Sequence, residues 1–287
     1  MTGWVVYDKE QLDKNSWFAE ELCRYCSSFA DMKTVVTEDL SFGIFGGEKG
    51  FYICGKEEKV PDFIICRTIF PLLSEFFEEL GVRVFNNSTV SSICNDKRKT
   101  YHAVEKSGVS ILDTIFFDGN FFDETSFSSF TYPAVIKSAS GHGGSEVFSV
   151  SNCDEAQSVA EGLKGRDFLL QSMCDTPGRD LRVYVMGGEI VESVLRISAG
   201  FKSNFSLGGA ASPYKLSEKE RDCVRRVLSS LPTFCDFVGV DFLFHRGELC
   251  FNEIEDVVGT RMLYSAYGIN AAEMYARYIE KQMSGQP

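Results

Sequence analysis

The chain has 287 residues, of which 44% are hydrophobic and 24% are charged, a balance typical of a globular rather than a disordered protein. Its 29 basic and 41 acidic residues leave a formal net charge of −12, which argues against a nucleic acid bound through its phosphates. No apolar run approaches the ~18 residues of a membrane-spanning helix, and the N-terminus shows no secretory signal. We therefore expect a cytoplasmic protein of about two domains with no membrane partner.

The ten cysteines are scattered and lie mostly in apolar runs, which is typical of reduced, small core residues. Cys23 and Cys26 form one CxxC pair, but it falls in a helical pattern and no second pair follows. A structural role is favoured there. The three histidines are too dispersed for a zinc site.

The first 95 residues alternate between strand-like and helix-like segments. Short apolar runs predict buried strands, and amphipathic runs between them predict helices. Such alternation indicates a parallel sheet with helical crossovers, an α/β domain. The predicted strands are residues 4–7, 62–67 and 82–85, and the predicted helices are residues 17–28 and 72–80.

Beyond residue 95 the pattern changes to α+β. A helix is predicted at 96–107, and two later helices begin at capping residues, Ser217 with Glu220 and Asn270 with Glu273. A further helix is predicted after Asn152 or Asp154. The predicted strands are residues 132–137, 146–150, 168–171, 180–185 and 189–196.

A predicted hairpin at residues 238–255 brings three carboxylates together. If Gly247 is the centre of a three-residue loop, Asp241 lies across from Glu253, and Glu255 shares the face of Glu253. A two-residue loop would send Asp241 to the opposite face. Carboxylate oxygens are the ligands that Mg²⁺ prefers. The alternative is a solvated acidic edge strand.

A lysine and a glycine-rich loop lie in the segment PAVIKSASGHGGSEV, residues 133–147. Lys137 ends an apolar strand, and Gly141, Gly143 and Gly144 follow it. Glycines let the backbone approach a phosphate, and lysine supplies a compact cation. The segment is not a Walker loop, because no Gly-Lys-Ser/Thr opens a helix. An ordinary hairpin turn is the alternative.

Three cations lie close together in residues 179–211. Arg182, Arg196 and Lys202 are on or beside neighbouring predicted strands. Arg196 lies inside an apolar strand, where an unpaired charge would be costly, so we expect an anion or carboxylate partner. Pairing with a surface glutamate such as Glu192 is the alternative.

Seven segments in this order resemble the ATP-grasp superfamily, and within it the ribosomal-protein glutamate ligases and their amino-acid and peptide ligase relatives. The resemblance runs from about Asn95 to the C-terminus, and the first 95 residues resemble the α/β domain that precedes it in the family. The seven segments are NDKRKTYHAVEKSGV, PAVIKSASGHGG, LLQSMC, RDLRVYVMGGEIV, GFKSNFSLGGAA, GVDFL and NEIE.

The resemblance implies an ATP-grasp fold, in which two α+β subdomains clasp ATP. It implies Mg²⁺, with Mn²⁺ as an alternative ion, held by Asp241, Glu253 and Glu255. The residues that it implies for nucleotide binding are Lys97, Lys137, Gly141, His142, Gly143, Gly144, Gln171, Ser172, Met173, Asp180, Lys202 and Ser203. Those that it implies for catalysis are Arg182, Arg196, Lys202 and Asn204.

The chain departs from the family pattern at three single positions and in one loop. Ser172 stands where relatives usually carry glutamate, which leaves the adenine contact to the main chain. Lys202 replaces arginine, and Glu255 replaces asparagine. The segment DVVGTRML at 256–263 replaces a Ser-Pro-Gly loop, so the substrate is left open.

The resemblance implies an ATP-dependent carboxylate–amine ligase that forms an amide bond on an amino acid or peptide through an acyl phosphate. A kinase on the same fold, or a non-catalytic nucleotide-binding module, is the alternative. The predicted domains are residues 1–95, 96–170 and 171–287. Arg67 and Arg261 are candidates for gripping an α-carboxylate, against ordinary structural pairing. The sequence is compatible with a homo-oligomer and leaves the oligomeric state open.

Overall fold

The computed structural model describes residues 1–123, 125–144, 146–201 and 210–285, and helices and strands alternate within these residues. The helices in these residues are α1 Lys9–Cys26, α2 Pro71–Glu79, α3 Ser88–Cys94, α4 Lys97–Val104, α5 Thr125–Ser128, α6 Cys153–Gly162, α7 Glu218–Ser230, α8 Arg261–Tyr267 and α9 Ala271–Ser284. The strands are β1 Thr2–Tyr7, β2 Asp31–Val36, β3 Leu40–Phe45, β4 Glu48–Ile53, β5 Lys56–Glu57, β6 Phe63–Cys66, β7 Arg83–Phe85, β8 Thr114–Phe117, β9 Ala134–Ser138, β10 Val147–Val150, β11 Phe168–Ser172, β12 Arg179–Met186, β13 Glu189–Ile197, β14 Ala210–Pro213, β15 Phe237–His245 and β16 Glu248–Glu255.

The chain divides by its internal contacts into two units. Unit 1 comprises Met1–Ser92, Cys235–Val238 and Asp256–Pro287. Unit 2 comprises Ile93–Phe234 and Gly239–Glu255. This grouping differs from the three domains predicted from the sequence, whose boundaries stay a prediction.

Unit 1 contains the parallel sheet that the alternation of its segments predicts. Its strand order is β2-β1-β6-β7, and each pair is parallel. Strand β1 is buried from Gly3 to Tyr7, because a parallel sheet with crossover helices is covered on both faces. Gly3 lies beside Phe63, and a Cβ atom there would come within 2.2 Å of the Phe63 ring. Only glycine therefore lets these two strands approach.

A small antiparallel sheet of order β3-β4-β5 also belongs to unit 1. The sequence analysis did not predict it. Its strands are short, and Gly43, Gly46, Gly47 and Gly50 interrupt the alternation of apolar and polar residues on which such a prediction depends.

Unit 2 contains two sheets that hold the predicted site residues. The smaller has strand order β10-β9-β11-β8, and its pairs are antiparallel. Its core packs aromatic rings, with Phe117 stacked at 4.8 Å on Phe168 and at 5.1 Å on Phe127. The larger sheet has order β14-β13-β12-β15-β16. This mixed arrangement confirms the predicted α+β class for this part of the chain.

The predicted helix starts in unit 2 are present with their capping contacts. Asn152 accepts a hydrogen bond from the Glu155 N–H at 2.9 Å, and Ser217 with Glu220 forms the predicted capping box before α7. None of the helices in the described part of the chain is both long enough and apolar enough to cross a membrane.

Candidate functional site

The hairpin of β15 and β16 places Asp241 opposite Glu253, as predicted, but by a different route. The turn has two residues, Arg246 and Gly247, both with positive φ, so the predicted three-residue loop is wrong. The register then shifts by one between Asp241 and the next residue of β15, which leaves Asn252 as the extra residue of a β-bulge on β16. The bulge restores the pairing that a two-residue turn alone would have lost.

The three carboxylates of this hairpin converge. One oxygen each from Asp241, Glu253 and Glu255 lies within 4.8 Å of the others. Asp241 is fully buried, and the two glutamates are half-buried. Hard oxygen donors on a common face form a set that suits Mg²⁺, so these residues fit the predicted ion.

Two buried arginines hold Asp241. Arg182 donates from Nε to Asp241 Oδ1 at 2.8 Å and from Nη2 to Oδ2 at 2.6 Å. Arg196 donates from Nη2 to the same Oδ2 at 2.7 Å. Asp241 therefore accepts three charge-assisted hydrogen bonds in a site closed to water.

Each arginine also contacts a second carboxylate. Arg196 pairs with Asp180, which lies directly across from it on the neighbouring strand. Arg182 Nη2 lies 2.6 Å from Glu255 Oε1. The carboxylate partner expected for Arg196 is present, and it is buried rather than on the surface.

The surroundings of Asp241 and Glu255 shift the pKa values of these two carboxylates in opposite directions. Burial by itself raises the pKa of Asp241, but Arg182 and Arg196 together lower it by more, so that it stays ionised. Burial raises the pKa of Glu255 above its usual range, and the neighbouring Asp241 and Glu253 carboxylates add to this although Arg182 opposes it. Glu255 is thus a carboxylate that a nearby cation would stabilise.

Two lysines face the carboxylates. Lys97, the first residue of α4, donates to the Gly141 carbonyl oxygen and lies 3.6 Å from Glu253 Oε2. Lys137 on β9 is buried and donates to Gln171 Oε1 and to Asn252 Oδ1, each at 2.8 Å. Burial lowers the pKa of Lys137 to about 8, although Glu253 works against this. Both ammonium groups are available to oppose negative charge.

Several of these groups line a cavity within unit 2, but Asp241, Arg182 and Glu255 are not among its lining residues. The empty space between its walls, part of which is open to solvent, is about 790 Å³. Of the predicted residues, the cavity is lined by Lys97, Lys137, Gly141, Gly143, Gly144, Gln171, Met173, Asp180, Arg196 and Glu253. It is also lined by residues that the sequence analysis did not select, which include Val135, Val147, Cys174, Gly178, Arg179, Phe201, Leu243 and Asn252.

In the segment predicted to contact adenine, two backbone N–H groups already donate hydrogen bonds within the protein. The Ser172 N–H donates to the Asp113 carbonyl at 2.9 Å, and the Met173 N–H donates to the Pro133 carbonyl at 3.3 Å. An adenine contact through these two N–H groups would have to break those bonds. Cys174, the next residue, lines the cavity as well.

The remaining predicted residues lie in the glycine loop, in unit 1, or outside the described part of the chain. Burial lowers the pKa of His142, which favours its neutral form in the glycine loop. In unit 1, Arg67 donates to the Val258 carbonyl at 2.9 Å and Arg261 donates to the Lys14 carbonyl at 3.2 Å, and their role in gripping an α-carboxylate stays a prediction. Three predicted residues lie outside the described part of the chain: Lys202, Ser203 and Asn204.

Asn252 is one of the cavity residues that the sequence analysis does not select, and it contacts Lys137. An asparagine between a phenylalanine and a glutamate gives no signal of its own, because the direction of its side chain depends on the bulge. The bulge is in turn visible only in the pairing of β15 with β16.

Comparison with known proteins identifies similar chains. The family model for a RimK-like ATP-grasp domain matches residues 95–279. Beta-citrylglutamate synthase B of Mus musculus is 28% identical over 272 residues, which cover 88% of this chain and 69% of that protein. Glutamate–LysW ligase ArgX of Sulfurisphaera tokodaii is 27% identical over 220 residues, 74% of this chain and 77% of that one.

A solved structure shares the fold. The D-alanine–D-alanine ligase from Bacillus anthracis, complexed with ATP, superposes with a TM-score of 0.75 over 100% of this chain and 99% of that one, at 13% identity. At this identity the likeness concerns the fold alone.

Proposed function

Because the chain belongs to the RimK-like ATP-grasp family of ATP-dependent, amide-forming ligases, we propose that its unit 2 cavity binds ATP and activates a substrate carboxylate as an acyl phosphate. The amine of an amino acid or peptide then attacks the acyl carbon. The C–N bond forms as the C–O bond to phosphate breaks, the amine loses a proton, and ADP and inorganic phosphate leave.

Activation by ATP is chemically required for this bond. A carboxylate is a poor electrophile because its leaving group would be oxide. Transfer of a phosphoryl group to one carboxylate oxygen makes that oxygen part of a good leaving group. Such transfer depends mainly on positioning and on charge stabilisation, so no nucleophilic side chain is needed.

The observation that carries the proposal is the meeting of three carboxylates with two lysines in one part of unit 2. Asp241, Glu253 and Glu255 would hold Mg²⁺, which supplies charge neutralisation between the phosphates when bound. Lys97 and Lys137 flank this group and would contact phosphate oxygens. In a chain of net charge −12, this local positive charge is what an anionic nucleotide needs.

Other residues around the cavity have supporting roles in the proposal. Gly143 and Gly144 have φ of 64° and 75°, a backbone conformation that glycine adopts without strain, so the loop can turn close to the phosphates. Arg196 lines the cavity and is the arginine that we propose for the acyl phosphate oxygens, whereas Arg182 mainly holds Asp241 and Glu255. Lys202 and Asn204 stay predicted to act beside them.

The partners follow from the same proposal. Both sequence relatives carry glutamate in their names, in beta-citrylglutamate and in glutamate–LysW, so we propose an acidic amino acid as one substrate. We also expect Mn²⁺ to substitute for Mg²⁺, and a cytoplasmic protein without a nucleic-acid or membrane partner. A homo-oligomer is compatible with the proposal.

Product analysis tests the reaction. Purified protein is incubated with ATP, Mg²⁺ and pairs of carboxylate and amine substrates, beginning with glutamate, and ADP, phosphate and the new amide are measured. A ligase releases phosphate only when both substrates are present. A stable phosphorylated product with one substrate alone would instead identify a kinase.

Two substitutions test the site. Lys137→Ala is expected to weaken ATP binding measured by calorimetry, and Glu253→Gln is expected to abolish ADP formation in a folded protein. Unchanged affinity in the first variant, or full turnover in the second, would remove that residue from the mechanism.

A further inference from the structure

The β-bulge at Asn252 turns two consecutive side chains into the same cavity. In a regular strand, neighbouring side chains point to opposite faces. Here Phe251 pairs with Phe242 and Glu253 pairs with Asp241, so Asn252 has no residue opposite it on β15. Both Asn252 and Glu253 line the cavity as a result.

Asn252 reaches a charged group on the other sheet of unit 2. Its Oδ1 accepts a hydrogen bond from Lys137 Nζ at 2.8 Å, although Lys137 belongs to β9 of the smaller sheet. Lysine can only donate, so the asparagine must present its carbonyl oxygen. Glu253, the next residue, meets the other lysine, Lys97, at 3.6 Å.

A second acceptor of Lys137 is locked in its orientation. The Thr114 hydroxyl donates to the Leu112 carbonyl at 2.7 Å, so its oxygen is left to accept from Gln171 Nε2 at 2.9 Å. This turns Gln171 Oε1 towards Lys137 Nζ, at 2.8 Å. The ammonium is therefore held from two sides.

The donor count at Lys137 leaves one N–H for a ligand. An ammonium has three donors, and Gln171 and Asn252 take two of them. Among the described residues, the third N–H has no hydrogen-bond acceptor. A buried ammonium group needs hydrogen-bond acceptors to stay charged. Burial lowers the pKa of Lys137 to about 8, so the charge of this group depends on the acceptors around it.

We infer that Asn252 is a positioning residue, which holds the Lys137 ammonium so that its remaining N–H points at the nucleotide phosphates. The inference rests on the proposed nucleotide site. A neutral amide suits this role better than a carboxylate, because it orients the cation without neutralising it. An aspartate at this position would compete with phosphate for the same positive charge.

A double-mutant cycle tests the inference. The dissociation constant of a non-hydrolysable ATP analogue is measured by calorimetry for wild type, Asn252→Leu, Lys137→Met and the double variant. We expect Asn252→Leu to raise the dissociation constant about tenfold, the effect of a lost hydrogen bond to a charged group. In the Lys137→Met background the same change should have no further effect, whereas an equal loss there would overturn the inference.

Measurement without the metal separates Lys137 from the neighbouring carboxylate. The loss in Asn252→Leu should persist when Mg²⁺ is removed with a chelator, because the contact to Lys137 does not involve the ion. A loss confined to solutions containing Mg²⁺ would mean that Asn252 acts through Glu253, and would overturn the inference. Asn252→Asp should keep the thermal stability of wild type while binding the analogue more weakly.

Controls keep these outcomes distinct. Glu248→Gln changes an exposed residue of the same strand and should leave affinity unchanged. If Asn252→Leu does not fold, Asn252→Ala is measured with the same expectation. A wild-type protein that binds no analogue would refute the proposed function, whereas a wild type that binds and an Asn252 variant of equal affinity would refute only this inference.

Discussion

The buried carboxylate Asp241 should be needed both for stability and for activity, and Asp241→Asn tests this. The substitution keeps the side-chain volume and removes the charge that Arg182 and Arg196 share. Asp241 accepts three hydrogen bonds of 2.6–2.8 Å from these arginines, at a position closed to water. Removing one partner of a buried ion pair costs about 3–5 kcal/mol, because the opposite charge stays buried.

The expected loss lies at the lower end of that range. Arg196 keeps Asp180 and Arg182 keeps Glu255, so neither arginine is left without a carboxylate. We therefore expect the free energy of unfolding to fall by about 3 kcal/mol. For a unit of this size that corresponds to a melting temperature lower by roughly 6–12 °C, which a thermal scan followed by circular dichroism resolves.

Glu253→Gln is the matched control on the same hairpin. The Glu253 side chain is 26% exposed and its ion pair with Lys97 is long, at 3.6 Å. Partly exposed pairs contribute up to about 1 kcal/mol, so the melting temperature should change by no more than about 4 °C. Both variants should lose ADP formation. An unchanged melting temperature in Asp241→Asn would show that the two arginines do not depend on this carboxylate, and would refute the reasoning.

Two further predictions concern the nucleotide and the packing of unit 2. Burial lowers the pKa of Lys137 to about 8, so much of this side chain is neutral at about pH 8.5. Bound phosphates should raise that pKa again, and nucleotide binding at this pH should therefore take up protons. Calorimetry in buffers of different ionisation enthalpy measures the uptake, and a heat independent of buffer would contradict it. Gly119→Ala should destabilise the protein by about 1–3 kcal/mol, because the new Cβ would lie 2.2 Å from the Arg166 carbonyl oxygen. In Gly162→Ala the new Cβ atom in α6 would meet nothing within 4 Å, so this substitution should stabilise the protein by up to about 1 kcal/mol. Equal melting temperatures for the two variants would refute the packing argument.

Much of the fold could be predicted because its signals are local. The capping residues before α6, α7 and α9 lie within three positions of the N–H groups from which they accept hydrogen bonds, so the local sequence is enough to identify them. Strand β1 is an uninterrupted apolar run, which is typical of a strand covered on both faces. The sheet of β3, β4 and β5 was missed because glycines break its alternation.

The sequence indicates candidate site residues by their chemical type, but it does not indicate the residues with which they pair. Arg196 was expected to have an anionic partner, and its two carboxylates, Asp180 and Asp241, lie 16 and 45 residues away along the chain. Asp241 was expected to face a metal, and it also holds Arg182, 59 residues away. Pairings over such separations depend on strand order, which no local pattern encodes.

By itself, the sequence determined which residue types are available to bind a nucleotide and many of the segments that become strands and helices, because apolar periodicity, capping and glycine content act over a few neighbouring positions. Tertiary structure alone decided that Asn252 faces Lys137, and it decided between the two registers that the sequence left open for Asp241 and Glu253. Both depend on one extra residue in β16, since a bulge shifts the register of a whole strand relative to its neighbour and is set by how the two strands pair.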